Sequence, residues 1–97
     1  MLDQENRKLC WNVLAKYGIR HQRIILVEEC SELQKAACKL FRAENIEQQK
    51  EYENNFHEEL TDVIVMCQQM LLAEQINMDT VNALAKTKLE RALKQDD

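Results

Sequence analysis

Apolar residues recur along this chain at spacings of three and four, the period of an α-helix, in four separate stretches. In the first, Leu9, Cys10, Val13, Leu14 and Tyr17 form a stripe, and Asp3 stands where a helix N-cap belongs. A helix is predicted from about Asp3 to Tyr17, with Gly18 suited to the left-handed residue just past its end. A second is predicted from about His21 to Ala43, with Ile25, Leu26, Cys30, Leu33, Ala37, Leu40 and Phe41 as its apolar set. The stretch from Glu44 to Glu51 is almost wholly polar. It reads as a loop or as the exposed start of the following helix, and Asn45 with Gln48 resembles a capping box, which favours helix. A third helix is predicted from about Tyr52 to Gln75, carrying Phe56, Leu60, Val63, Ile64, Cys67, Met70 and Leu71. After the short connection Ile76–Met78, Asp79 is expected to cap a fourth helix with Val81, Leu84, Ala85, Leu89 and Ala92. Short connections between amphipathic helices predict antiparallel neighbours. The fold expected is therefore all-α: one domain over residues 1–97, an antiparallel bundle of about four helices.

Composition supports that fold and narrows the function. The chain has no proline and one glycine, whereas sheets need turn residues about every 8–12 positions. A chain of 97 residues buries only about 60–65% of its unfolded surface, so self-association is expected to add stability. The net charge of −4, from 13 basic and 17 acidic residues, argues against duplex nucleic acid as the partner. A nucleotide is not excluded, because a metal ion can stand between carboxylate and phosphate. Cys10, Cys30, Cys38 and Cys67 form no CxxC pair and fall where a helix places small apolar residues, so free buried thiols are expected. With no signal peptide and no long apolar run, a cytoplasmic protein without membrane insertion is expected.

The informative residues are charged ones within the apolar arcs. At about 100° per residue, Glu29 falls inside the arc of the second helix, between Ile25 and Ala36 on one side and Leu33 and Leu40 on the other. Glu32 lies at its edge, whereas Glu28 and Lys35 point away. On the third helix Glu59 projects at the margin of the stripe and Asp62 lies beside Met66 and Ala73. Each helix thus carries two carboxylates at i, i+3, one turn apart on a semi-buried face. Lys88 lies inside the stripe of the fourth helix, with Arg91 on the same flank. Ionised groups facing a core are costly unless paired or metal-bound, which suggests that these groups meet. Two like charges about 6 Å apart repel by roughly 3 kcal/mol at an effective dielectric of about 20. A cation would relieve that repulsion, and an all-oxygen ligand set favours Mg²⁺ or Mn²⁺ over zinc.

Glu28-Glu29-Cys30-Ser31-Glu32 reads EExxE, and Glu59-Leu60-Thr61-Asp62 reads ExxD. In this the chain resembles the MazG-like all-α NTP pyrophosphatase superfamily. The likeness extends to Tyr17-Gly18 ahead of the EExxE helix, the apolar run after Asp62, and a final helix with Lys88 and Arg91, covering about Leu9 to Leu93. The resemblance implies Mg²⁺ ligation by Glu29, Glu32, Glu59 and Asp62. It also implies phosphate contacts from Lys88, then Arg91, with Lys39 and Arg42 as further candidates. Many members carry an Asn near this Lys, where this chain has Lys86, Thr87 and Leu89. The implied activity is cleavage of a (d)NTP between the α- and β-phosphates to a (d)NMP and pyrophosphate, in a homodimer or homotetramer. Trp11 and Tyr17 are candidates for stacking on the base, or core aromatics. The competing readings are a non-enzymatic helical interaction or assembly module, and a nucleotide-binding homologue without turnover.

Overall fold

The structure, a computed structural model, describes residues 1–95. It is all-helical among the described residues: α1 (Gln4–Tyr17), α2 (Ile19–Leu40), α3 (Ile46–Ala73) and α4 (Met78–Lys94). Among the described residues no helix is long and apolar enough to cross a membrane.

Side-chain caps set three of the helix starts. Asp3 accepts from the Asn6 backbone N–H at 2.9 Å, which satisfies one of the unpaired donors of the first turn of α1. Asn45 does the same for Gln48 N–H at 2.9 Å, while the Gln48 Oε1 accepts from the Glu44 N–H at 2.9 Å. The polar stretch that read either way therefore belongs to α3 from Ile46 onward. The fourth cap differs from expectation: Asn77, not Asp79, accepts from the Thr80 N–H at 2.9 Å, and Asp79 lies within the first turn of α4. Asn77 keeps an extended backbone (φ −88°, ψ 159°), which is what an N-cap requires.

Gly18 alone separates α1 from α2. Its N–H donates to the Leu14 carbonyl and its carbonyl accepts from the Gln22 N–H. Its backbone (φ 86°, ψ 156°) has the positive φ expected but lies outside the left-handed helical basin. A Cβ there would meet nothing within 4 Å, so backbone freedom rather than space selects glycine.

Three of the four helices pack together. Gln22 meets Gln69 and Arg23 meets Glu74, while Glu29 meets Glu59 and Asp62, so α2 and α3 run antiparallel. α1 packs against both, and among the described residues the buried apolar side chains are Cys10, Leu14, Ala36 and Met66. The expected four-helix packing is incomplete: no Cα of α4 comes within 8 Å of a Cα of α1, α2 or α3. The radius of gyration is 16.4 Å, against about 12.5 Å for a compact chain of this length. The cysteines also depart from expectation. All four are free, but only Cys10 is buried, and Cys30, Cys38 and Cys67 are exposed.

Candidate metal centre

Glu29 on α2 and Glu59 and Asp62 on α3 each offer a carboxylate oxygen, and these atoms lie within 4.8 Å of one another. The antiparallel pairing produces this convergence. Glu29 lies on the same face as buried Ala36 and Gln22, one heptad away on either side, and so points at α3. Asp62 and Glu59, one turn apart, stand opposite it; Asp62 is seven residues before Gln69, which meets Gln22. Glu29 and Glu59 are half-buried and Asp62 is exposed, so the cluster opens to solvent at its Asp62 side.

The electrostatics are unrelieved. Glu29 is held above the ordinary glutamate range, first by partial desolvation and then by the negative charges of Asp62 and Glu59. A side-chain hydrogen bond with Asp62, which favours the protonated Glu29 carboxyl, and the charge of Glu32 add to the rise. None of these causes is a cation. The donor set contains three carboxylates and no imidazole or thiolate, which fits a hard divalent ion such as Mg²⁺ or Mn²⁺.

The other residues singled out from sequence lie elsewhere. Glu32 is close enough to raise Glu29 but stands outside the triad, with its Oε1 3.5 Å from the Lys35 Nζ. Lys88 and Arg91 are exposed on α4, so they do not meet the carboxylates in this chain. Lys88 stands within the apolar arc of α4, and among the described residues no helix packs against α4. Lys39 is exposed ten residues beyond Glu29, roughly 15 Å along the helix. Trp11 is half-exposed and lines an apolar groove of about 320 Å³ with Leu14, Ala15, Ile19 and Ala73. Ile19 and Ala73 lie ten and eleven residues from Glu29 and Asp62, again roughly 15 Å from the triad. Tyr17 is also half-exposed and stacks on His21 with ring centroids 5.1 Å apart.

Periodicity alone did not single out the buried amide layer beside the triad. Gln22 and Gln69 are both buried, and the Gln22 Nε2 donates to the Gln69 Oε1 at 2.7 Å. Gln68 is buried too, its Oε1 accepting from the Leu2 N–H at 2.8 Å. The available signal was register: Gln22 precedes Glu29, and Gln69 follows Asp62, by one heptad. No protein-family model matches the sequence, and neither does any curated protein or solved structure.

Proposed function

We propose that the protein is a Mg²⁺-dependent nucleoside triphosphate pyrophosphohydrolase, a MazG-like enzyme that converts a (d)NTP to a (d)NMP and pyrophosphate. The observation that supports this reading is the convergence of Glu29, Glu59 and Asp62 from two antiparallel helices, three of the five acidic residues of the EExxE and ExxD segments. These three would hold Mg²⁺, and Mn²⁺ would fit the same oxygens. Glu32 is the proposed fourth ligand. It is held in place only by an exposed Lys35 pair, and such pairs contribute about 0–1 kcal/mol, so little opposes its turning inward. A divalent ion here supplies charge neutralisation at phosphate oxygens and lowers the pKa of an attacking water.

The chain's own groups have separable tasks. Asp62, the exposed member, faces the solvent from which water and nucleotide arrive. Lys35, which helical spacing turns away from Glu29, pairs with Glu32 at 3.5 Å and remains exposed. Lys88 and Arg91 would serve phosphate only from a position that α4 does not take within its own chain. The uncovered α4 also supports a homodimer or larger homo-oligomer.

Pyrophosphate release from a panel of canonical and modified (d)NTPs, with Mg²⁺ and then with EDTA, tests the proposal. Release that depends on the metal and yields the monophosphate is expected. No release from any member of the panel, with the metal bound, would refute it.

A further inference from the structure

Along one flank of α1 an open groove changes from basic to apolar. Gln4, Arg7, Lys8 and Trp11 line its first part with Leu72 of α3, a hollow of about 410 Å³. Trp11, Leu14, Ala15 and Ile19 line its second part with Ala73 of α3, a hollow of about 320 Å³. Trp11 belongs to both, so the two hollows adjoin. Helical spacing produces the arrangement. Gln4, Arg7, Lys8 and Ala15 all fall within about 60° of Trp11 around the helix. Buried Leu14 comes three residues after Trp11, so this flank borders the seam where α1 meets α3.

The cations of the groove are free to receive a charge. Among the described residues the ion pairs are Arg23–Glu74 and Lys35–Glu32, and neither uses Arg7 or Lys8. Both of these side chains are exposed. The acidic residues next in sequence to the lining residues are occupied or turned away. Asp3 caps α1 by accepting from the Asn6 N–H, and Glu74 is taken by Arg23. Glu5 lies about 120° round α1 from Trp11. The surrounding stretch acts in the same sense. Residues 6–27 hold five basic residues and no acidic one, whereas the other eight basic residues stand against all 17 acidic ones. In a chain of net charge −4 this segment carries a local positive field.

The shape selects the class of occupant. Trp11 is 51% exposed and Ala15 is exposed too, so the groove is open along its side. A small ligand is held by a pocket that covers most of its surface, and this groove does not enclose one. It is concave as well, and a flat bilayer does not fill it. From Arg7 to Ala15 is eight residues, about 12 Å or two turns of a second helix. A helix laid in a groove offers apolar anchors and charges at fixed steps of one turn. Trp beside Arg is also the composition of a binding hot spot.

We propose that the α1 groove receives an acidic amphipathic helix of another protein. Its apolar side chains fill the hollow between Trp11, Leu14, Ile19 and Ala73, and a carboxylate one or two turns away pairs with Arg7 and Lys8. Trp11 is the wall that both contacts share. The apolar end lies roughly 15 Å from the carboxylate triad along the helices, so the contact is independent of the metal and of turnover.

Selection of a random library of helix-forming peptides on the full chain, in EDTA, tests the proposal. Recovered peptides are then titrated against the emission of Trp11, the only tryptophan. They are expected to carry Asp or Glu one or two turns from a large apolar residue, and to shift that emission. The Arg7→Glu, Lys8→Glu double variant is expected to weaken them on the order of tenfold or more. The same peptides with Lys in place of their acidic residues are expected to bind the double variant and not the wild type. Circular dichroism is the control for folding. Should the double variant lose helicity, Ala15→Glu, which sets a carboxylate in the apolar hollow, takes its place with the same loss expected. Recovery of no peptide, peptides without acidic residues, or equal binding to the wild type and the variants would overturn the proposal. So would quenching of Trp11 by oligothymidylate that is lost in the double variant, which assigns the groove to a single strand, or a doubled mass abolished by Ala15→Glu, which assigns it to a second copy.

Discussion

α2 and α3 meet in two polar layers seven residues apart, and the two are resolved in opposite ways. In the amide layer Gln22 and Gln69 are buried, and donor meets acceptor at 2.7 Å. The second amide oxygen, on Gln22, lies 2.8 Å from the His21 Nδ1. Among the described residues no buried side-chain polar atom is left without a partner. In the carboxylate layer Glu29, Glu59 and Asp62 are acceptors only once ionised, so no hydrogen bond joins them unless a proton is retained. An amide carries both a donor and an acceptor and so closes on itself. A carboxylate cluster closes only by taking up a proton or a cation.

The largest expected effect is on turnover. Glu29→Gln or Asp62→Asn should lower the rate of pyrophosphate release on the order of 100-fold or more, since even outer-shell partners of a metal are worth about 10–100-fold. The comparison sharpens when stability is read in EDTA. Gln22→Ala strands the Gln69 acceptor in the core and should cost about 1–3 kcal/mol in denaturant unfolding. Glu29→Gln removes a repelled charge and should leave metal-free stability unchanged or raise it. If Glu29→Gln destabilises as much as Gln22→Ala does, the two layers are alike and the contrast fails.

A subtler effect lies in the pH dependence of the metal-free protein. Folded Glu29 keeps its proton to higher pH than the unfolded chain does, where glutamate titrates near about 4.3. Its stabilising contribution is therefore complete below that value and is lost as pH rises through the raised folded pKa. Wild type and Glu29→Gln should diverge over that window and run parallel outside it, with the variant the more stable at neutral pH. The smallest effect belongs to the exposed Glu32–Lys35 pair: Lys35→Ala should move stability by no more than about 1 kcal/mol.

The carboxylates were legible in the sequence because they interrupt an apolar period, and two interruptions fell on facing helices. Lys88 interrupts a period in the same way yet forms no ion pair among the described residues, because a helical wheel shows which face a residue takes and not what stands opposite. The start of α3 was legible from Asn45 and Gln48, whose side chains settle the cap locally. The start of α4 was not, since Asn77 and Asp79 are both good caps and only the backbone at Asn77 decides between them. Buried cysteines were expected from their spacing. Cys38 instead lies on the face of α2 turned away from Gln22, Glu29 and Ala36, where it is exposed. Packing of α4 onto α3 was expected from the short connection. A Schellman closure, in which the Gln75 and Ile76 N–H groups donate to the Leu72 and Leu71 carbonyls, sends it elsewhere.

The central claim is that Glu29, Glu59 and Asp62 form a site for a divalent cation, and thermal unfolding in MgCl₂ against EDTA at matched ionic strength tests it most directly. Mg²⁺ at a hundredfold excess over its Kd should stabilise the wild type by about 2.7 kcal/mol, and the gain should vanish in the Glu29→Gln, Asp62→Asn double variant. A wild-type unfolding temperature indifferent to Mg²⁺ and Mn²⁺, or an equal gain in the double variant, would contradict it.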